Sequence, residues 1–166
     1  MSFAGGCQCG AVRFRVAGEL GRASVCHCRM CQKAFAAPYG ALVTVRSEQL
    51  VWTRGERGRF QSSNKVSRGF CRECGTPLTF EWDETKIDLA ICAFDAPAEI
   101  APVVQLRAAS AVPWATHVSD LPAGDSAASA AHDAAVVSRQ HPDRDTVEWS
   151  TPDDVIPVAP TEDRDP

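Results

Sequence analysis

Cys26-His27-Cys28-Arg29-Met30-Cys31, taken with Cys7-Gln8-Cys9-Gly10 and Cys71-Arg72-Glu73-Cys74-Gly75, gathers seven of the eight cysteines of this 166-residue chain into three short clusters. Zinc takes four tetrahedral ligands with thiolate sulfurs about 2.3 Å away, and two cysteines spaced by two residues are a common half-site. The glycines behind two of the clusters let the chain turn sharply while backbone amides approach the sulfurs. Cysteines serving only as small buried hydrophobes would not cluster in this way. Seven ligands do not divide into two closed sites. The simplest partition joins Cys7, Cys9, Cys71 and Cys74 into a four-thiolate site that ties the N-terminal strand to one some 60 residues later. Cys26, Cys28 and Cys31 are then left with three sulfurs and a vacant fourth position. Closed four-ligand zinc sites are structural, whereas three ligands and an exchangeable position form the catalytic arrangement. The main rival joins Cys26, Cys28 and Cys31 to one outside cysteine. An iron–sulfur cluster and dithiol redox chemistry at Cys71 and Cys74 are further alternatives. Cys92, inside Leu89-Ala90-Ile91-Cys92-Ala93-Phe94, reads as a core residue.

Around these clusters the sequence alternates short strand-like runs with turns. Val12, Phe14 and Val16 alternate with Arg13 and Arg15, the period of a half-buried strand. Further runs cover 41–53, 76–82, 86–94 and 103–106, separated by Gly40, Gly55, Gly58, Gly69, Gly75 and several prolines. One short helical turn is expected after Cys28, through Met30, Lys33 and Phe35. The fold class is therefore mostly β, a small zinc-stapled domain over residues 1–122. Aromatic residues make up only 7% of the chain, so a large aromatic core is not expected.

After Pro122 the composition changes to an Ala-, Pro- and Asp-rich stretch with few large apolar side chains, and residues 123–166 are expected to be a disordered tail. Trp149, within Thr146-Val147-Glu148-Trp149, is the one candidate docking element there. The tail carries ten acids and three bases, which leaves 11 acids and 14 bases in the first 122 residues. That mild excess is far below the charge density of a nucleic-acid binder. No apolar run approaches the roughly 18 residues of a membrane span, and Met1-Ser2-Phe3-Ala4-Gly5-Gly6 lacks the features of a signal peptide. A cytoplasmic protein is the expectation, and in a reducing compartment clustered cysteines are metal ligands or catalytic thiols rather than disulfides.

At these residues the sequence resembles the glutathione-dependent formaldehyde-activating enzyme family. The resemblance rests on Gly6-Cys7-Gln8-Cys9-Gly10 running into Val12-Arg13-Phe14, and on Cys26-His27-Cys28-Arg29-Met30-Cys31-Gln32-Lys33. It continues through Gln61-Ser62-Ser63 and Arg68-Gly69-Phe70-Cys71-Arg72-Glu73-Cys74-Gly75-Thr76-Pro77-Leu78 to Val112-Pro113-Trp114. Ile91-Cys92-Ala93-Phe94-Asp95-Ala96-Pro97 stands where the family usually has a Gly-x-Leu-Asp-x-Pro segment, and its Ala93 and Phe94 are expected to reshape the nearby loop. The resemblance covers roughly residues 3–122. It implies a β-tent-type fold, two zinc ions per chain, a structural set of Cys7, Cys9, Cys71 and Cys74, and a catalytic set of Cys26, Cys28 and Cys31.

A zinc held by three thiolates can take a substrate thiol as its fourth ligand and deprotonate it. A thiolate beside an aldehyde adds to the carbonyl, forming an S-hydroxyalkyl adduct; the reverse is carbon–sulfur bond cleavage. The expected partners are thus a small-molecule thiol, glutathione by resemblance, and a small aldehyde such as formaldehyde. His27 sits between two ligands, so its side chain points away from the metal in an extended segment. It is the candidate proton carrier to the developing alkoxide, a plain surface place or one behind the ligands being the alternative. Arg13, Arg29, Lys33 and Arg68 are candidates to hold the carboxylates of the thiol. The competing expectation is a non-catalytic zinc scaffold that binds a protein partner.

Overall fold

The computed structural model describes residues 1–124 and 127–149. Its first sheet grows from the alternating run around Phe14. Strand β2 (Arg13–Ala17) buries Phe14 and Val16 completely and turns Arg15 and Ala17 outward. On one side it pairs antiparallel with β1 (Ser2–Gly6), and on the other with β5 (Leu50–Arg54). Gly5 stands opposite Phe14, and a Cβ there would come within 2.5 Å of the Phe14 ring and 2.4 Å of the Ala93 carbonyl oxygen. Only glycine lets the phenyl ring lie flat under β1.

The remaining strands are β3 (Ala23–Cys26), β4 (Gly40–Arg46), β6 (Gly58–Gln61), β7 (Ser67–Phe70), β8 (Pro77–Glu81), β9 (Lys86–Ala90) and β10 (Val104–Leu106). They form a second sheet in the order β10-β3-β4-β9-β8-β7-β6, with β10 parallel to β3 and every other pair antiparallel. Phe14 and Val16 from the first sheet meet Val43, Val45, Leu78 and Leu89 from the second in one core. Phe14 adds edge-on contacts to Trp52 and Phe94 at 5.9 and 5.1 Å, an arrangement aromatic pairs favour.

The architecture is mostly β, as expected, and the short helix after Cys28 is α1 (Arg29–Phe35). Two details differ. The apolar run 41–53 is not one strand: β4 ends at Arg46, the 3-10 turn Ser47–Gln49 redirects the chain, and β5 joins the other sheet. Cys92 is exposed rather than in the core, because the 3-10 turn Ile91–Ala93 buries Ile91 and Ala93 and leaves the residue between them outside.

Within the stretch expected to be a disordered tail, the structure describes a short helix, α2 (Ala127–Ala134), and a segment 141–149 that lies against the first sheet. Opposite charge holds it there. Asp145 bridges Arg13 and Arg15, and the Trp149 indole N–H donates to the Cys9 carbonyl at 2.6 Å. The candidate docking residue is thus in contact with the first cysteine cluster. Residues 125, 126 and 150–166 lie outside the described ones.

Candidate metal centres

Each cysteine pair of the first cluster sits on the turn of a hairpin. Between β1 and β2 the Cys7 amide donates to the Val12 carbonyl, and the Gly10 amide returns to Cys7 at 3.0 Å, with Gly10 at φ +80°. Between β7 and β8 the same construction recurs. Cys71 N–H donates to Thr76 and Gly75 N–H to Cys71, with Gly75 at φ +76°. Both turns need a left-handed residue that glycine supplies without strain.

The two turns belong to different sheets and face each other. Sγ of Cys7, Cys9, Cys71 and Cys74 all lie within 4.8 Å of one another, Cys7 to Cys9 at 3.6 Å and Cys9 to Cys71 at 3.8 Å. A tetrahedron of thiolates about 2.3 Å from a central ion has edges of about 3.8 Å, so the donor set fits such an ion. All eight cysteines are free thiols. Val12 N–H donates to Cys7 Sγ at 3.2 Å, and the Thr76 hydroxyl lies 3.1 Å from Cys74 Sγ. Burial opposes ionisation of Cys74, but the Thr76 hydroxyl and backbone amides outweigh it and bring that thiol down to about 6. Burial pushes Cys71 up to about 11, and Cys9 upward as well, where neighbouring thiols add to the effect. Four thiolates so close need a cation to remain ionised together.

The second cluster is local. Cys26 ends β3, Cys28 is the N-cap of α1 in extended conformation, and Cys31 lies in the first helical turn, 2% exposed. The cap is made by sulfur: Cys28 Sγ accepts from the Cys31 amide at 3.4 Å, satisfying a donor that the helix start would otherwise orphan. The three Sγ atoms lie within 4.8 Å of one another, and among the described residues no fourth Cys, His, Asp or Glu joins them. Burial raises the Cys28 pKa, but the Cys31 amide and the neighbouring thiols outweigh it, so the net shift is downward. Burial pushes the Cys31 thiol up to about 12 against the pull of Arg68, whose Nη2 donates to Cys31 Sγ at 3.4 Å.

His27 is buried, not at the surface. One ring nitrogen, Nε2, is 3.0 Å from Gln105 Oε1 on β10, the ring packs edge-on against Tyr39 at 5.6 Å, and buried Nδ1 has no hydrogen-bond partner among the described residues. The ring lines a cavity of about 660 Å³ that Val25, Tyr39, Gln105 and Thr116 also border. Three further hydrogen bonds hold this region. Gln32 Nε2 donates to the His27 and Ser110 carbonyls at 2.9 and 3.0 Å, and Arg68 Nε donates to Ser62 Oγ at 3.1 Å. Gln32, Gln105 and Ser62 support the site through contacts up to 78 residues apart in sequence; Gln32 and Ser62 fall within the motifs that carry the resemblance, whereas nothing in the sequence marks Gln105.

The four candidate cations separate. Arg13 is 3% exposed and bonded to both oxygens of Asp95 at 2.7 and 2.6 Å and to Asp145, so it has no room for a substrate carboxylate. Arg68 is 7% exposed, bonded to Cys31 and Ser62 and set over the face of Phe80, with buried Nη1 left without a partner among the described residues. Arg29 and Lys33 remain open. They project from α1 into a cavity of about 460 Å³ with Pro38, Val112 and Trp114.

Residues 2–110 match the family described as glutathione-dependent formaldehyde-activating enzyme. An uncharacterized lyase of Schizosaccharomyces pombe is 30% identical over 84 residues, which cover 51% of this chain and 61% of that protein. The match thus spans about three fifths of the curated relative's length. A crystal structure of a Rhodobacter sphaeroides protein superposes with a TM-score of 0.50 over 61% of this chain and 98% of that one, at 21% identity, a likeness of fold.

Proposed function

This chain belongs to the glutathione-dependent formaldehyde-activating enzyme family, and from that premise we propose that it is a zinc-dependent lyase of the carbon–sulfur type. It joins a thiol, glutathione, to a small aldehyde such as formaldehyde, or cleaves the adduct. The observation that carries this reading is the Cys26/Cys28/Cys31 cluster, in which three protein sulfurs converge without a fourth protein ligand among the described residues. Zinc bound there would supply a position at which a substrate thiol loses its proton near neutral pH. The closed set Cys7, Cys9, Cys71 and Cys74 would hold a second zinc and so join the two sheets.

The chain's own residues do the rest. Arg29 and Lys33 draw the carboxylates of the thiol into the cavity beside α1, which Trp114 also borders. Both reactants are held at close range, the main catalytic advantage open to an addition that also proceeds unaided. In the forward direction the C–S bond forms, the carbonyl π-bond becomes an alkoxide, and the thiol's proton ends on that oxygen. His27 is the residue assigned to carry that proton; it lines a separate cavity beside Tyr39, with Gln105 fixing Nε2 and buried Nδ1 unpartnered among the described residues. Arg68 neutralises the sulfur of Cys31 from behind. The unit that carries this chemistry is residues 1–122. No helix among the described residues is long and apolar enough to cross a membrane, and a cytoplasmic enzyme fits a cofactor held by free thiols.

The test is glutathione addition to the cobalt-substituted protein. The thiolate-to-metal charge-transfer bands should change, and Cys31→Ala should abolish the change. Exchange spectroscopy by NMR should show glutathione and formaldehyde interconverting with their adduct faster than the uncatalysed background. Binding without acceleration would move the substrate to another aldehyde. A protein-binding scaffold is the second reading, favoured by Trp114, Val118 and Leu121, which stand 60%, 51% and 67% exposed along and just after the 3-10 helix Pro113–Asp120. It predicts no thiol response, and that result would overturn the enzyme reading.

A further inference from the structure

The turn Cys7-Gln8-Cys9-Gly10 has two sides. Its sulfurs face Cys71 and Cys74, while its carbonyls face away, and the segment 141–149 covers them. The His141 amide donates to the Gln8 carbonyl at 2.7 Å, and the Trp149 indole to the Cys9 carbonyl at 2.6 Å. Arg54 donates to the Gly10 carbonyl at 3.1 Å and reaches across to both oxygens of Thr146. Three consecutive carbonyls of one metal-site turn are thus held by the segment itself or by an arginine that it shares. The His141 ring lies where a Cβ on residue 10 would be, 2.2 Å away, so Gly10 provides the seat as well as the turn. Beyond the turn, Asp145 fills the gap between Arg13 and Arg15 at 2.9 and 2.6 Å, and Arg13 in turn is locked to Asp95 at the end of the apolar 3-10 turn. The carbonyls of the turn and the Arg13, Arg15 and Arg54 guanidiniums all find partners here, whereas buried His141 Nδ1 has none among the described residues, and residues 141–149 lie outside the span matched by the family.

We infer that the carbonyl face of this turn, with Arg13, Arg15 and Arg54, is a docking surface for the chain's own segment 141–149, and that the docked segment is a strap guarding the Cys7/Cys9/Cys71/Cys74 site. The strap fixes the backbone that carries two of the four sulfurs. A ligand sulfur leaves a metal by swinging its turn outward, and that motion must first break the three carbonyl bonds. The strap therefore slows metal loss and attack on the thiols by chelators and alkylating agents. The inference rests on the proposed zinc occupancy of the four-cysteine site only for its metal readout.

The experiment compares the full-length chain with an Asp145→Asn/Trp149→Phe double variant, zinc-loaded, in excess chromogenic chelator. Cys28→Ser in each background assigns the release phases to the two sites. Losing the Asp145 charge that bonds both Arg13 and Arg15, together with an indole hydrogen bond, should speed release from the four-cysteine site about tenfold or more and leave the other phase unchanged. Trypsin cleavage after Arg144 should accelerate in parallel. Arg15→Ala, a change at a half-exposed side chain, should move both readouts in the same direction by less, and it keeps the test available if the double variant fails to fold. Faster cleavage with unchanged release would show a docked segment that guards nothing. Unchanged cleavage and release together would show that the segment does not dock through these bonds. Either result overturns the inference. Should the purified chain carry no metal, the zinc reading fails alone, and the strap is then decided by the rate of iodoacetamide labelling at Cys9 in the same variants.

Discussion

Replacing Arg68 with methionine removes the only cation bonded to the three-cysteine cluster among the described residues. Nη2 stands 3.4 Å from Cys31 Sγ, in a side chain 7% exposed that also lies over the Phe80 ring at 4.9 Å. A divalent ion with three thiolates carries one net negative charge, and a buried guanidinium stabilises that state more than the largely protonated empty one. The gross attraction of two unit charges at this distance is about 5 kcal/mol at an effective dielectric of about 20. Hydrogen bonds to charged groups net about 1.5–3 kcal/mol once solvation is counted. Metal affinity at this cluster should therefore fall about 10- to 150-fold. The assay is competition for cobalt or zinc against a chelator of known affinity, with the four-cysteine site as internal control. Arg68→Lys keeps the charge but not the planar fork that holds Ser62 and Cys31 together, and should recover only part of the loss. An Arg68→Met protein that is folded and binds metal at the three-cysteine site within twofold of the parent would refute the electrostatic role assigned to Arg68.

The two clusters should respond differently to loss of a ligand. Cys71→Ser removes part of the link between sheets and should unfold the domain or render it insoluble, whereas Cys28→Ser should leave a folded protein with about one zinc, read by metal analysis and circular dichroism. Glu81, 9% exposed between Arg57 and Arg59, has its carboxyl brought down from 4.5 to about 2 because those arginines and Thr79 outweigh burial. A depressed carboxyl stabilises the fold above its unfolded pKa, and that contribution fades as pH falls from about 4.5 towards 2. Glu81→Gln should cost on the order of 2 kcal/mol at pH 7, and the gap from the parent should close with acid, as followed by urea denaturation across that range.

What could be read from the sequence was what is local. The three cysteine clusters announce themselves by spacing, and Val12 to Val16 by alternation, because both signals fit within a few residues. Strands β6 and β7 carry no such signal. Gly58-Arg59-Phe60-Gln61 and Ser67-Arg68-Gly69-Phe70 are polar and glycine-bearing, and they are strands because the edge of β8 supplies a ladder. The run 41–53 hides its break, since Ser47–Gln49 is a turn only by virtue of the second sheet waiting for β5. Cys92 was placed by its apolar neighbours, yet a 3-10 turn reverses which of three residues faces the core. The role of Arg68 requires knowing that its side chain on β7 reaches Cys31, 37 residues away, and the pairing of Arg13 with Asp145 spans 132 residues. Composition marks the tail as poor in core-forming side chains and lets Trp149 stand out as a docking element, but nothing local marks Asp145 as the partner of a basic edge.

The contrast between a cluster within six consecutive residues and one assembled from hairpins more than 60 residues apart also sets an order of events. Closing a short segment around an ion costs little chain entropy, whereas bringing Cys7 and Cys9 to Cys71 and Cys74 is a long loop closure that only the finished core repays. The Cys26–Cys31 segment can therefore capture an ion while the chain is still emerging and unfolded. The other four cysteines must wait until β7 and β8 exist and the two sheets have met. Were both clusters to take metal, the three-cysteine site would be filled first and the four-cysteine site last, so a chain short of metal would have its reactive end loaded before its two sheets were riveted together.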